Sequence, residues 1–136
     1  MEAVREPFNV NSLAQVAAAA ALDDAASLKR VRRTIADGRH YLIAQLDRLK
    51  IRWVPSATNF LLLELGVGAS TTAQALVRQG VIIREMSGWQ LDGFLRVTIG
   101  TMAENRRFIQ VLKSALGSRL SAQGKTVPSR MLKNPR

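Results

Sequence analysis

Several residue types that many enzymes rely on are scarce or missing in this chain of 136 residues. It has no cysteine, which excludes disulfide bonds and thiolate chemistry and suits a reducing compartment. The single histidine, His40, has no second histidine with which to form a metal site or a triad, so we interpret it as structural. The ten acidic residues are scattered, and none is paired at a spacing that glycosidases or metal centres use. These absences favour a binding module over a self-sufficient catalyst.

Long apolar runs are also absent. No stretch approaches the roughly 20 consecutive apolar residues of a membrane-spanning helix, and the alanine-rich run 17–22 stops at Asp23. The N-terminal sequence MEAVREPF lacks the apolar core and the small-residue cleavage site of a secretory signal. We therefore expect a cytoplasmic domain, or part of one, with no membrane partner.

Negative charge is in short supply, since the formal net charge is +10. Half of this excess comes from residues 117–136, which contain five basic residues and no acid. Low hydrophobicity with charge of one sign is typical of disorder, so we predict a disordered basic tail over residues 118–136. The sequence has no recognition-helix motif and no interleaving of aromatic with basic residues, which disfavours a nucleic-acid partner. If the chain did bind nucleic acid, binding to random DNA would weaken steeply with salt.

The N-terminal half of the chain predicts two helices. Ser12 and Gln15 form a capping box for an alanine-rich helix over residues 13–22, and Asp23 or Asp24 caps the next helix. That second helix is predicted over residues 25–49, because apolar residues recur there every three, four or seven positions. They are Leu28, Val31, Ile35, Leu42, Leu46 and Leu49. The arginines between them are interpreted as a solvated face.

The C-terminal half predicts short strands that occur in pairs. Four strands are expected, at residues 51–54, 60–65, 81–84 and 94–99. The second is apolar enough to be a central strand buried on both faces, or nearly so. Strands in pairs, not alternating strictly with helices, predict an α+β fold: a small, mainly antiparallel sheet with helices packed on one face.

Two further helices are predicted around the second pair of strands. The first covers residues 73–79, with a capping box at Thr71 and Gln74, and ends at Gly80. The second begins at a capping box formed by Thr101 and Glu104. It carries an apolar face at helical spacing and is expected to end at Gly117.

Each of the last two strands carries one arginine among aliphatic residues. Because strand side chains alternate between faces, Leu95, Val97 and Ile99 share one face of their strand, and Arg96 lies on the other. If the two strands are neighbours, the guanidinium groups of Arg84 and Arg96 converge and can grip one carboxylate or phosphate bidentately. The alternative is that both arginines are idle surface residues.

Five segments occur in an order and at intervals that resemble a known family. They are REPFNVNSLAQVAAAAAL from Arg5, PSATNFLLL from Pro55, GVIIR from Gly80, LRVTIGT from Leu95 and the pair Glu104-Asn105. Together they resemble the C-terminal third of histidinol-phosphate aminotransferases, which are class I/II, fold type I enzymes that depend on pyridoxal phosphate. The resemblance covers about residues 5–116.

The resemblance implies substrate-binding roles for both arginines. Arg96 matches the arginine with which such enzymes hold the carboxylate of the amino acid or oxo acid. Arg84 matches a second arginine, which in this branch helps to hold the anionic end of the substrate, including the phosphate of histidinol phosphate. Asn59 is assigned only a structural role. Asn9 and Asn11 lie in the family's lead-in from the large domain to the small one, and no catalytic role is assigned to them.

The implied reaction converts histidinol phosphate and 2-oxoglutarate into imidazole acetol phosphate and glutamate, a step of histidine biosynthesis. The full-length family consists of homodimers that use pyridoxal 5'-phosphate. Aromatic amino-acid aminotransferases and threonine-phosphate decarboxylases share the same arrangement of arginines and remain alternatives. A non-enzymatic interaction module, which associates through surface meant for the large domain, is a further alternative.

The chain departs from the family in one important respect. The family's cofactor forms an imine with a lysine that follows a serine or threonine, and no lysine here has that context: Lys29, Lys50, Lys113, Lys125 and Lys133. The aspartate for the pyridine nitrogen and the phosphate-cradling residues also have no counterpart. We therefore expect a truncated product or isolated domain that neither binds the cofactor nor transaminates alone. Residues 1–24 would be the lead-in and first helix, 25–117 the small domain and 118–136 the tail.

Overall fold

A computed structural model of the protein describes residues 9–123, with side chains over residues 9–117. Four helices occur in this part of the chain: α1 (Ser12–Asp23), α2 (Ala25–Arg48), α3 (Ala69–Arg78) and α4 (Met102–Gln123). Four strands occur with them: β1 (Arg52–Val54), β2 (Phe60–Glu64), β3 (Arg84–Glu85) and β4 (Phe94–Thr98). The predicted α+β class is confirmed.

The strands form one antiparallel sheet in the order β1-β2-β4-β3. The longest pairing joins β2 to β4, from Phe60 opposite Thr98 to Glu64 opposite Phe94. Alternation along these two strands puts every second side chain on the side of the helices, where Leu61 and Leu95 are fully buried. The sheet therefore has one covered face and one open face.

The prediction that β2 is buried on both faces, or nearly so, holds for only one of its faces. Leu61 and Leu63 are buried, whereas Phe60, Leu62 and Glu64 are only half-buried. The reason is that α2, α3 and α4 all pack on the same side of the sheet. The uninterrupted apolar pattern of β2 reflects a second, open face that is itself largely apolar.

The hydrophobic core lies between the sheet and the helices. It combines Leu42 and Leu46 of α2 and Leu76 of α3 with apolar residues of β2, β4 and α4. Full burial of a leucine side chain stabilises a fold by roughly 1.5–3 kcal/mol, so this shared cluster fixes where each helix lies on the sheet. The largest fully buried side chains are Leu42, Leu46, Leu61, Leu63, Leu76, Leu95, Val111 and Leu112.

Helix α1 contributes nothing to this core, since none of its residues is buried. Its N-cap is Asn11, whose Oδ1 accepts from the Ala14 N–H at 2.8 Å, so the predicted cap at Ser12 is one residue too late.

In α2, the predicted cap at Asp24 is confirmed by a 2.8 Å bond from the Ser27 N–H. The first half of the predicted stripe on α2 is exposed, as Leu28 and Val31 show.

Helix α3 begins four residues earlier than predicted, at Ala69. The N-cap is Gly68, which has no side chain with which to cap the helix, and Thr71 lies inside the helix. The predicted capping box at Thr71 and Gln74 is therefore wrong. The early start brings Thr72 into the core, where it is 2% exposed.

Helix α4 begins as predicted and ends later. The Thr101 N–H and hydroxyl both donate to Glu104 Oε2, at 2.7 and 2.8 Å, which confirms this capping box. Gly117 does not end the helix, which continues to Gln123. The predicted disordered tail thus begins inside a helix, and its remainder, 124–136, lies outside the described residues. Over residues 9–123, no helix is both long and apolar enough to cross a membrane.

Candidate functional site: two opposed arginines at a cleft

The segment before β4 is less strand-like than predicted. We expected residues 81–84 to be the strand with Arg84 at its end, but β3 consists of Arg84–Glu85 and begins at the arginine. After α3, Gly80 adopts a φ of +76°, which suits a residue without a Cβ, and the Val81 N–H donates to the Leu76 carbonyl at 3.0 Å. Val81 is therefore tied to the end of α3, and residues 81–83 do not extend the ladder.

Arg84 and Arg96 are direct partners in the antiparallel pairing of β3 with β4. Directly opposed residues project to the same face, with their Cβ atoms about 5 Å apart. The condition that the two strands are neighbours is therefore met, and the shared grip on one anion stays a prediction. The shared face is the open one, because Leu95 and Val97 on either side of Arg96 are buried beneath the sheet.

The immediate neighbours of both guanidinium groups are aromatic. The Cζ atom of Arg96 lies 5.2 Å from the centroid of the Phe60 ring, and that of Arg84 lies 5.1 Å from the centroid of the Trp89 ring. Within residues 9–117, no carboxylate forms an ion pair with either arginine. Two like charges directly opposed and without a counterion repel each other, so the pair has electrostatic capacity left for an anion.

The acid that β2 places on the open face is already engaged. Glu64 lies two residues along β2 from Leu62, the partner of Arg96 on that strand. Its Oε2 forms an ion pair with Arg52 Nη1 at 3.2 Å. Because Glu64 is held from the side of β1, its charge is directed toward Arg52 and not toward the two opposed arginines.

A cleft of about 770 Å³ opens beside the two arginines. It lies where residues 81–83 leave the ladder, so the backbone N–H of Thr98, which alternation directs toward β3, has no partner among the described residues. The lining residues are Val81, Ile82, Ile83, Arg84, Glu85, Trp89, Arg96, Val97, Thr98, Gly100, Glu104, Asn105 and Phe108. The cleft thus combines apolar walls with charged side chains of both signs, namely Arg84, Arg96, Glu85 and Glu104, and small-molecule sites commonly pair an apolar lining with a few polar groups.

The first turn of α4 closes one end of the cleft with side chains that are already bonded. Hydrogen bonds from the Thr101 hydroxyl and N–H hold the pKa of Glu104 below its ordinary value. Asn105, which is 2% exposed, accepts from the Gly100 N–H at 3.1 Å and donates to the Gly100 carbonyl at 3.0 Å. These bonds fix the turn between β4 and α4, and so the end of the strand that carries Arg96.

Comparison with known proteins identifies the family. The family model described as aminotransferase class I and II matches residues 1–112. The chain belongs to the class I and II aminotransferases. A histidinol-phosphate aminotransferase of Symbiobacterium thermophilum is 45% identical over 113 residues, which are 83% of this chain and 31% of that protein. Histidinol-phosphate aminotransferase 2 of Pseudomonas aeruginosa is 46% identical over 113 residues, with the same coverage of each.

A solved structure in the same family shares the fold of this aminotransferase chain. The histidinol-phosphate aminotransferase of Clostridium acetobutylicum superimposes with a TM-score of 0.73 at 25% identity, over 86% of this chain and 36% of that one. The chain spans about a third of the length of the curated relatives that it matches. The activity and the substrates of the whole enzymes are therefore proposals for this chain.

Several residues of the candidate site were not predicted from the sequence. Trp89 and Phe60 contact the arginines only because the sheet brings distant residues together. Asn105 belongs to a pair of residues that the resemblance singled out, but its bonds to Gly100 were not predicted. The available signal was an asparagine directly after a capping box and five residues after the glycine that follows a predicted strand.

Asn59 has a backbone role at the start of β2, and the interpretation of His40 as structural stays untested. The Asn59 carbonyl accepts from the Ile99 N–H at 2.8 Å and extends the β2–β4 pairing, and its side chain is exposed. His40 is exposed on α2. Over the described part of the aminotransferase chain, no group of three or more histidine and acidic side chains is placed to hold a metal ion.

Proposed function

We propose that this chain is the substrate-clamping part of a pyridoxal-phosphate-dependent aminotransferase. Arg96 holds the carboxylate of the amino acid or oxo acid, and Arg84 holds the anionic end of the substrate. The observation that carries the proposal is the direct opposition of the two arginines, without an ion-pair partner within residues 9–117, in the lining of one cleft. Hydrogen bonds to charged groups contribute about 1.5–3 kcal/mol each, so two such forks can orient a small anion firmly.

Histidinol phosphate is the proposed substrate, with 2-oxoglutarate as the acceptor of the amino group. Support comes from the names of the relatives at 45% and 46% identity. Histidinol phosphate carries a phosphate that a second arginine can grip, and 2-oxoglutarate carries a carboxylate at each end. Aromatic amino acids and threonine phosphate are the alternative substrates, because each also presents an anionic group to such a pair.

The cofactor is expected to be held elsewhere, because the residues of this chain do not fit it. Pyridoxal phosphate, where bound, acts as the electron sink of transamination and requires a lysine for its imine. Of the lysines with described side chains, Lys29, Lys50 and Lys113, none lines the cleft. The proposed role of this chain is therefore to bind and orient the substrate and to exclude water from it.

Two measurements on the purified 136-residue chain test whether it binds substrate without holding the cofactor. Added pyridoxal phosphate is expected to give no imine absorbance that survives gel filtration, and histidinol phosphate with 2-oxoglutarate is expected to give no glutamate. A stable imine band together with turnover would contradict the proposal that the chain supplies only the clamp.

The clamp itself is tested by titrating inorganic phosphate, and separately 2-oxoglutarate, into the chain at constant ionic strength while amide shifts are followed by NMR. We expect Arg96→Ala to weaken binding by about tenfold or more, because a lost charge-assisted hydrogen bond costs about 1.5–3 kcal/mol. Arg96→Lys should recover part of this, since it keeps the charge without the fork. Arg30→Ala, which removes an exposed arginine of α2 outside the cleft, is the charge-matched control. Equal affinities for Arg96→Ala and Arg30→Ala would refute the clamp.

A non-enzymatic interaction module is the second candidate, and helix α1 favours it. Leu13 is 78% exposed and Val16 is 68% exposed on a helix without any buried residue. A helix that is apolar and uncovered is expected to seek a partner surface. Sedimentation of the chain across a concentration range tests this, because association that Leu13→Ser abolishes would support it, and a monomer at all concentrations would oppose it.

A further inference from the structure

The indole of Trp89 lies against Arg84 and not against the core. The Cζ atom of Arg84 is 5.1 Å from the ring centroid, and Trp89 is 56% exposed. Guanidinium groups within about 6 Å of an indole centroid are attracted to its face. The contact therefore joins the more exposed of the two opposed arginines to the aromatic residue that lines the same cleft.

The backbone, and not the ring, determines where Trp89 lies. The loop between β3 and β4 turns on Met86, which is 9% exposed and whose N–H donates to the Phe94 carbonyl at 3.1 Å. The Met86 carbonyl in turn accepts from the N–H groups of Trp89 at 3.0 Å and Leu91 at 3.3 Å. The loop backbone thus fixes the position from which the indole extends beside Arg84.

An unsupported Arg84 would be poorly placed to bind an anion. It lies on a two-residue edge strand, directly opposite a second cation, and repulsion from Arg96 favours rotamers that point into solvent. Ordering such a long side chain on binding also costs conformational entropy. A ring that holds the guanidinium beforehand removes both obstacles.

We propose that Trp89 is a positioning residue: its indole holds the Arg84 guanidinium beside Arg96, so that both point at the same anion before the anion arrives. This inference rests on the proposed function, because it assigns a role within the same site. Phe60 supports Arg96 at 5.2 Å in the equivalent way. Phe60 also belongs to β2, so Trp89 is the residue whose replacement leaves the sheet unchanged.

The test compares Trp89→Leu with Trp89→Phe. Leucine keeps apolar bulk but has no aromatic face, whereas phenylalanine keeps the face. Trp53→Phe is the matched control, because the Trp53 Nε1–H donates to Asp47 Oδ1 at 2.9 Å on the opposite edge strand. Inorganic phosphate is titrated into each 136-residue variant at constant ionic strength, and the side-chain Nε–Hε resonance of Arg84 is followed by NMR.

We expect Trp89→Leu to weaken phosphate binding by about fivefold, the range of one cation–π contact, and Trp89→Phe to stay within about twofold of wild type. The upfield ring-current shift of the Arg84 Nε–Hε proton should survive in Trp89→Phe and vanish in Trp89→Leu, which a merely structural role would not predict. Trp53→Phe should bind as wild type does.

Two results would overturn the inference, and they differ from each other. If Trp89→Leu binds phosphate as wild type does while Arg84→Ala binds weakly, the clamp stands and Trp89 does not position it. If Arg84→Ala and Arg96→Ala both bind as Arg30→Ala does, the clamp fails and the role of Trp89 fails with it.

Discussion

Arg84 and Arg96 oppose each other directly across the β3–β4 ladder, and within residues 9–117 neither has a carboxylate partner. Sheets normally place opposite charges, or one charge and a neutral residue, at such positions, because like charges directly opposed are destabilising. The arrangement costs folding stability in the absence of a ligand. It is explained if the pair binds an anion that cancels the repulsion.

The repulsion predicts a salt dependence of stability. Chloride at moderate ionic strength screens exposed charges within a Debye length of about 10 Å at 0.1 M. Wild type should therefore gain about 0.2–1 kcal/mol of unfolding free energy relative to Arg84→Gln when sodium chloride is raised from low to moderate concentration. Urea unfolding measures this, with Arg30→Gln as a control that should follow wild type. Parallel salt dependences for wild type and Arg84→Gln would show that the repulsion is absent.

We predict that one added methyl group at Gly38 lowers the stability of the fold strongly. A Cβ at this position of α2 would lie 2.7 Å from both Asn105 Nδ2 and Ile99 Cγ2, at the point where α2 passes the end of β4. Gly38→Ala should therefore lower the unfolding free energy by about 1–3 kcal/mol through overpacking. Gly117→Ala is the matched control in α4, because nothing lies within 4 Å of its Cβ position. It should raise stability by about 0.5–1 kcal/mol through helix propensity. Equal effects of the two substitutions would contradict this packing.

Asn105 predicts that a single amide holds the turn after β4. Asn105→Ala removes both bonds to Gly100 and should cost about 1–3 kcal/mol of unfolding free energy, because it leaves backbone groups unsatisfied. Amide exchange at Gly100 should rise at the same time. Gln110→Ala, an exposed position on the same helix, is the control and should be near neutral. An Asn105→Ala variant as stable and as protected as the control would exclude the proposed role.

Glu104 predicts a defined acid sensitivity. Its pKa is held below its ordinary value by the Thr101 hydroxyl and N–H, so the folded state favours the carboxylate. The resulting stabilisation is complete above the ordinary glutamate pKa and is lost as the pH falls through the lowered value in the folded state. Titration of the Glu104 side-chain carbon signal should give a pKa that returns toward normal in Thr101→Ala. The acid-dependent loss of stability should be smaller in Glu104→Gln, and identical pH profiles would count against this capping box.

Local chemistry is the part of the fold that could be predicted from the sequence. The caps at Asp24 and Thr101 depend only on residues three positions away, so a linear pattern reveals them. Alternation in β4 placed Arg96 opposite the buried face correctly. The antiparallel α+β class followed from strands that occur in pairs.

Features that depend on distant contacts could not be predicted. β3 is short because the Val81 N–H donates to the end of α3. Strand propensities do not predict such a hydrogen bond. Leu28 and Val31 form a correct helical stripe, yet nothing in the described chain covers them. Gly117 lies inside α4, because glycine permits a helix end without requiring one.

The candidate site was likewise predictable in its local features and not in its distant contacts. Both arginines were singled out, because a charge inside an apolar strand stands out in a sequence. Their direct register, and the aromatic rings of Phe60 and Trp89 beside them, come from pairing between strands and from a loop fixed by Met86. Such relationships are tertiary and have no linear signature.

A double-mutant cycle on phosphate binding tests the central claim most directly. Phosphate is titrated at constant ionic strength into wild type, Arg84→Ala, Arg96→Ala and the double variant, and the four dissociation constants are compared. If one anion is gripped by both arginines, each single substitution weakens binding by about tenfold or more, and the double variant loses less than the sum by at least about 0.5 kcal/mol. Strictly additive losses, or single variants that bind phosphate as wild type does, would contradict the account.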